Sequence, residues 1–281
     1  MTDLSSWLEA ARQELSAASD QPSLEAQAIL GNWLGKTRAW IFGHSETLLS
    51  PSEITQLNEQ VSRRITGVPL PYLLGQWDFY GLEFEVTPSV LIPRPETEQL
   101  VDLARAWLIA HPSQRRSVDV GTGSGCIAAA LAFSIPDLTV FGVDTSGSAL
   151  TIAQHNLLRH RLAGRVPLVQ SDLLAALAGP FDLVCANLPY IPTLIMQELD
   201  VARYEPILAL DGGPDGLRLI ERLLSQLLTR LAPGGRVLLE IEVSEDQSAL
   251  TLARHYFPQA AIELKTDLAR LPRLVIIDLL E

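Results

Sequence analysis

Apolar positions recur every three or four residues through roughly the first 70 positions, then shift to short apolar runs farther along. That change of period marks two kinds of structure. In "WLEAARQEL", Trp7, Leu8, Ala11 and Leu15 share one helical face. Asp20 and Pro22 interrupt, and "SLEAQAILGNWLG" predicts a second helix closing near Gly35. "SPSEITQLNEQVSRRITG" predicts a third. Ser50 and Glu53 form a capping-box pattern, Pro51 suits the first turn, and Gly67 with Pro69 ends the element. Ile54, Leu57, Val61 and Ile65 give it one apolar stripe. Over 76–92, "QWDFYGLEFEVTPSVLI", aromatic and β-branched residues alternate about Gly81 and predict a short hairpin. "PRPETE" breaks the chain and opens a helix through about Ala110.

From Ser117 onward, strands and helices alternate. "SVDV", "LTVFGVD", "VPLVQ" and "FDLVCAN" read as strands, with helices over "GSGCIAAALAFS" and from about Ser146 to His160. A long loop leads to a helix near Leu217 to Leu231 and then to "GRVLLEI", with two further strands near "AIELK" and "RLVIIDLL". This order predicts an α/β fold, a mostly parallel seven-stranded sheet covered by helices on both faces. The expected division is a helical domain over 1–75, a hairpin linker over 76–92 and the α/β domain over 93–281. The helical region reads equally as a structural cap or as a substrate-docking module.

Composition narrows the class. The chain has 281 residues, 47% hydrophobic and 19% charged, as expected of a globular protein. No apolar run approaches the roughly 20 residues of a membrane helix. The start, "MTDLSSWLEAARQEL", lacks the basic-then-apolar order of a signal peptide, so the expected location is cytoplasmic and away from membranes. Cys126 and Cys185 have neither the number nor the spacing of a zinc site or disulfide scaffold and read as small buried residues. The five histidines are scattered, so no metal is expected. The net charge of -12 opposes general binding to a phosphate backbone.

Two stretches carry chemistry. "VDVGTGSGCIA" sets Gly121, Gly123 and Gly125 between a strand and its helix, where the backbone must turn sharply and approach a ligand. Asp144 ends the next strand, placed to accept hydrogen bonds from ribose hydroxyls. The G-x-G-x-G spacing is not the G-x-G-x-x-G of nicotinamide dinucleotide sites. The loop follows Asp119, which favours an amino-acid-bearing nucleoside with an ammonium group. In "QSDLL", Asp172 is placed to accept from an adenine amino group and Leu173 to pack on the ring; a helix cap and a core leucine are the alternatives.

The second stretch, "VCANLPYIP", ends a core strand in an amide, a proline and an aromatic ring. In a doubly wound sheet the strand before it flanks the glycine-loop strand at the ligand-binding end. A planar NH₂ conjugated to a carbonyl or ring is a poor nucleophile. The Asn187 side-chain oxygen and the Leu188 main-chain oxygen can bind its two hydrogens, orient it and stabilise the positive charge it gains on alkylation. Pro189 stiffens the turn, and Tyr190 offers a face for a planar amide or base.

The order of glycine loop and Asn-x-Pro-Tyr resembles amino-methyltransferases with an Asn-Pro-Pro-Tyr motif. Nearly the whole chain is similar to the HemK/PrmC family of protein-glutamine methyltransferases. "PLPYLLGQWDFYGLEFEVTPSVLIPRPETE", "VDVGTGSGCIA", "NLPYI", "RYEPILALDGGPDGL" and "LAPGGRVLLEI" carry the likeness in order and spacing. Leu188 departs from it, standing where the family usually has Pro. The resemblance implies a Rossmann-like methyltransferase domain. It implies S-adenosylmethionine as methyl donor and S-adenosylhomocysteine as product. The donor would be bound by Gly121, Thr122, Gly123, Ser124, Gly125, Asp144, Asp172, Leu173 and Asn187. The implied acceptor is the glutamine of a release factor's Gly-Gly-Gln motif, met by Asn187, Leu188, Pro189 and Tyr190. "LIPRPETE" would form part of the site wall, and "RYEP" would brace the loop after the catalytic turn. An adenine-amino methyltransferase acting on DNA or RNA is the alternative, disfavoured by the acidic balance and the lack of a basic recognition region. A non-catalytic nucleotide-binding scaffold is disfavoured by the intact Asn187, Pro189 and Tyr190.

Overall fold

The computed structural model describes residues 2–280. The chain divides into two compact units between Gln76 and Trp77.

The first unit is helical: α1 (Leu4–Leu15), α2 (Pro22–Leu34), α3 (Arg38–Gly43), α4 (Pro51–Ile65) and α5 (Leu70–Leu74). The stripe residues Leu4, Trp7, Ala11 and Leu15 of α1 meet Ala26, Ile29 and Leu30 of α2 and Leu57 and Val61 of α4 in one apolar core. The capping box of α4 is present in both halves. Glu53 N donates to Ser50 Oγ at 3.3 Å, and Ser50 N donates to Glu53 Oε2 at 2.7 Å. Gly35 ends α2 with φ 61°, the left-handed conformation the sequence places there. Arg64 on α4 grips Glu25 on α2 through two bonds of 2.8 and 2.9 Å.

In the second unit, β1 (Gln76–Phe79) and β2 (Leu82–Glu85) form the hairpin. Its two turn residues, Tyr80 and Gly81, have φ of 52° and 72°, the twist a two-residue hairpin turn needs. The hairpin does not hang between units as a free linker. Phe79, Leu82 and Phe84 are buried with Leu100, Ala104 and Leu108, so apolar burial makes it part of this unit's core.

Then follow α6 (Glu98–Ala110), β3 (Arg116–Val120), α7 (Cys126–Ser134), β4 (Thr139–Asp144), α8 (Gly147–Arg159), β5 (Leu168–Gln170) and β6 (Phe181–Ala186). A crossing segment holds β7 (Ile191–Pro192), α9 (Thr193–Met196) and β8 (Asp211–Gly213). The chain ends with α10 (Arg218–Leu227), β9 (Leu231–Glu240), α11 (Asp246–Tyr256), β10 (Ala261–Thr266) and β11 (Pro272–Asp278). Seven strands make one sheet in the order β10-β11-β9-β6-β3-β4-β5. Only β11 runs antiparallel to its neighbours; β9, β6, β3, β4 and β5 are parallel.

Alternation along β6 shows why both faces are covered. Leu183 and Cys185 enter the apolar layer under α6 and α7, while Val184 and Ala186 enter the layer under α10 and α11. The alanines of α7 are wholly buried, which small side chains allow without pushing the helix off the sheet. Among the described residues no helix is long and apolar enough to cross a membrane. No group of three or more His, Cys, Asp or Glu is arranged to hold a metal ion there.

Candidate active site

Strands β3 and β6 pair in parallel, with Val120 opposite Ala186, so their carboxyl ends open side by side. A cleft of about 330 Å³ lies there. Gly121, Thr122, Gly123, Ser124, Asp144, Asp172, Leu173, Asn187, Leu188 and Pro189 all line it. Its opposite wall includes Pro88, Val90, Leu91, Pro93, Arg94 and Thr97, which is the stretch "LIPRPETE" and the residues before it.

The glycine loop is held from both ends. Gly121 N and Thr122 N donate to Val143 O at 2.8 and 2.9 Å, and Gly125 N donates to Thr122 O at 2.7 Å. Gly121 has φ 77°, and a Cβ there would stand 3.1 Å from Leu188 Cδ2, so glycine is required for conformation and for space. Asp119 does not reach the cleft. It is fully buried beneath the loop, where Oδ2 accepts from Thr122 Oγ1 at 2.6 Å and from Ala128 N at 3.2 Å. Burial pushes its carboxyl up to about 7. Its place is to brace the loop, not to meet an ammonium directly.

Gly125 also falls outside the lining. It precedes α7 with φ 80°, and a Cβ there would lie 3.2 Å from Ala153 Cβ, so it lets α7 and α8 pack closely. Asp144 is half-buried at the cleft, with Oδ2 accepting from Gly123 N and Oδ1 from Ser146 N, both at 2.9 Å. Burial raises its carboxyl above the ordinary range, against those two donors. Asp172 is exposed, and its Oδ2 takes Arg222 Nη2 at 2.6 Å. Leu173 is buried with φ 50°, a left-handed backbone unusual for leucine that turns the chain at the cleft edge.

At the end of β6, Asn187 Nδ2 donates to Thr97 Oγ1 at 3.1 Å, and Oδ1 has no hydrogen-bond partner among the described residues. Leu188 is buried in the layer under α10 and touches Gly121. Its side chain therefore packs the two stretches together, beyond any effect on the turn. Leu188→Pro is expected to cost about 1–2 kcal/mol of stability through lost packing while leaving the main-chain oxygen in place. A lower midpoint in urea unfolding checks it, and an unchanged midpoint would mean the side chain packs nothing that matters. Tyr190 lies outside the cleft lining, so the expected stacking face is not on its wall. The residue is half-buried behind the turn, where a Cβ on Gly212 would come within 2.7 Å of its Cα. Burial raises its phenol, and Glu240 and Glu242 add to the shift.

Two further residues organise the site, of which Asn156 carried no motif signal. Asn156 on α8, fully buried, donates through Nδ2 to Ser124 O at 2.9 Å and to Glu85 O at 3.1 Å, and accepts from Glu85 N at 2.6 Å. It ties the glycine loop to the hairpin. Glu205, of "RYEP", accepts from Ile92 N at 3.1 Å and Arg94 Nη2 at 2.6 Å and anchors the opposite wall.

Comparison with known proteins places this geometry in a family. The PrmC N-terminal domain matches residues 6–75, and the methyltransferase small domain matches residues 97–202. The release factor glutamine methyltransferase of Moorella thermoacetica is 42% identical over 88% of this chain and 87% of its own. That of Bradyrhizobium diazoefficiens is 36% identical over 95% and 93%. Among solved structures, the 16S rRNA N2 G1207 methyltransferase of T. thermophilus, in complex with AdoMet and guanosine, is 18% identical. It has a TM-score of 0.51 over 73% of this chain and 49% of its own, a likeness of fold alone. With both domains matched and relatives of this identity over nearly the full length, the chain belongs to the release factor glutamine methyltransferase family.

Proposed function

We propose that the protein transfers a methyl group from S-adenosylmethionine to the side-chain amide nitrogen of the glutamine in the Gly-Gly-Gln motif of peptide chain release factors. The observation that carries this reading is the meeting of Asn187, Leu188 and Pro189 with Gly121 to Ser124 and Asp144 in one cleft. The cleft suits a nucleoside in size, in its apolar walls and in its few polar groups. At Gly121 a Cβ would fill the space between loop and turn, so the bare backbone can close on a ligand. The Asp144 carboxylate is assigned to the ribose hydroxyls and the free oxygen of Asp172 to the adenine amino group, with Leu173 against the ring.

Bound there, S-adenosylmethionine supplies a methyl group on a sulfonium centre. Asn187 Oδ1 and Leu188 O accept the two hydrogens of the substrate amide and hold its nitrogen in line with that methyl. As the N–C bond forms and the C–S bond breaks, positive charge grows on nitrogen, and the two fixed oxygens stabilise it. The extra proton then leaves to water, with S-adenosylhomocysteine as the other product. Pro189 and Tyr190 support the turn that presents the oxygens.

Labelled methyl transfer to a release factor and to DNA, side by side, tests the reading. Label in the release factor alone is expected; label in DNA alone would overturn it. Asp144→Ala is expected to weaken S-adenosylmethionine binding by about 1.5–3 kcal/mol in calorimetry, and unchanged affinity would remove Asp144 from the site.

The helical unit is assigned to docking of the protein substrate. Removing residues 1–75 is expected to lower efficiency on an intact release factor more than on a short Gly-Gly-Gln peptide. Equal losses on both would make the unit a structural cap.

A further inference from the structure

We infer that Arg222 and Gln226, one turn apart on α10, are positioning residues that set the adenine edge of the cofactor cleft; the inference rests on the assignment of Asp172 and Leu173 to adenine above. Those two residues lie in the loop between β5 and β6, positions 171–180. Turns within the loop join Ala175 N to Asp172 O and Leu177 N to Leu174 O. They leave the N–H of Leu174 and the side chain of Asp172 to be met from outside.

Both are met by one helix face. Arg222 Nη2 donates to Asp172 Oδ2 at 2.6 Å, and Gln226 Oε1 accepts from Leu174 N at 2.8 Å. Residues four apart stand above one another on a helix, so these two side chains form one column. Arg230, just past the end of α10, continues it: its Nε donates to Leu177 O and its Nη1 to Gln226 O, both at 3.1 Å. The first turn of α10 reaches the cleft itself through Leu219.

Leu173 lies between the two gripped positions. Its φ of 50° is disfavoured for leucine and persists only where the surroundings hold it. Leu174 is wholly buried, so its N–H has no water to turn to and Gln226 supplies the acceptor. Only the oxygen end of the Gln226 amide can meet an N–H, so the bond sets that amide's direction as well. Gln226 thus fixes the backbone that presents Leu173.

Arg222 has a different task. Its bond to Oδ2 fixes the plane of the Asp172 carboxylate, and Oδ1, which has no hydrogen-bond partner among the described residues, is left for the amino group. The two side chains are 45% and 58% exposed, and an ion pair so exposed adds little to stability. Arg222 can therefore be removed without loosening the fold, and a change in ligand preference then reports orientation.

The test is calorimetry on the full chain with S-adenosylhomocysteine and with S-inosylhomocysteine, which carries an oxygen where adenine has its amino group. Wild type is expected to prefer the adenine form about tenfold or more, because a carboxylate accepts from NH₂ and repels an oxygen. Arg222→Met is expected to cut that preference about fivefold, with the urea midpoint unmoved. Gln226→Met is expected to lower affinity for S-adenosylhomocysteine about tenfold and to cut the preference as well, while Gln226→Glu, which keeps an acceptor, stays within about threefold of wild type.

An unchanged preference in Arg222→Met overturns the role of Arg222. An affinity for Gln226→Met within about twofold of wild type overturns that of Gln226. Should Gln226→Met not fold, Arg222→Met and Gln226→Glu decide. A wild type that binds both analogues alike overturns the assignment of Asp172 and the inference with it; one that binds neither overturns the cofactor reading. None of these outcomes depends on whether a release factor is methylated.

Discussion

Asn187→Ala is expected to slow methyl transfer to a release factor by about two orders of magnitude or more, with cofactor affinity changed only a few-fold. The substitution removes one of the two oxygens assigned to the substrate amide. That oxygen matters most as charge grows on nitrogen, so its loss falls on the chemical step more than on binding. Alanine leaves the main-chain oxygen of Leu188 in place, so a residual rate is expected. Thr97 Oγ1 loses its Nδ2 donor as well, one hydrogen bond at a hydroxyl, so the fold should stand. Single-turnover kinetics with calorimetry separates the effects. A variant retaining more than about a third of wild-type turnover would remove Asn187 from the chemistry.

Glu205→Ala is expected to be among the most destabilising single changes in the second unit, at about 3 kcal/mol. The side chain is 2% exposed, and its carboxylate holds Ile92 N and Arg94 Nη2. Removal leaves a buried N–H without an acceptor and opens a cavity. The Arg94 head, with its side chain 33% exposed, can regain water, which caps the loss below that of a fully buried pair. The wall over Pro88 to Arg94 would lose its anchor, so cofactor affinity should fall as well. Urea unfolding should show a lower midpoint with an unchanged slope. An unchanged midpoint would mean the wall is held by other contacts.

The elements that announce themselves locally were legible in the sequence. Ser50, Glu53 and Pro51 set the start of α4, and Gly35 sets the end of α2, because capping and left-handed turns depend on a few adjacent residues. The hairpin about Gly81 followed from alternation, and the adjacency of the glycine loop and "NLPY" followed from the order of strands in a doubly wound sheet. Short elements were not legible. Helices α3 and α5 span six and five residues, too few for a period to show. The two-residue strand β7 and the loop to β8 depend on pairing at a distance.

In the site, the residues that line the cleft could be named because their chemistry is written in motifs. What the bracing residues hold could not be read, even where "RYEP" was expected to brace a loop. Glu205 meets Ile92 and Arg94 across more than a hundred positions, and Asn156 looks like any polar residue on a helix until its three bonds are seen. Gly125 and Asp119 sit inside a binding motif yet serve packing and bracing. Motif position alone does not separate a residue that touches a ligand from one that shapes the loop. Asp172 shows the converse, since its salt bridge to Arg222 lies 50 positions away and takes one of the two oxygens that sequence left free.

The most direct test of the account is the position of the transferred methyl. A release factor is incubated with the protein and S-adenosylmethionine, digested, and its peptides fragmented in a mass spectrometer. The account predicts a single added methyl on the side-chain nitrogen of the glutamine in the Gly-Gly-Gln motif, absent when Asn187→Ala replaces wild type over the same short time. A methyl on any other residue, or an unmodified motif peptide from an active enzyme, would contradict it.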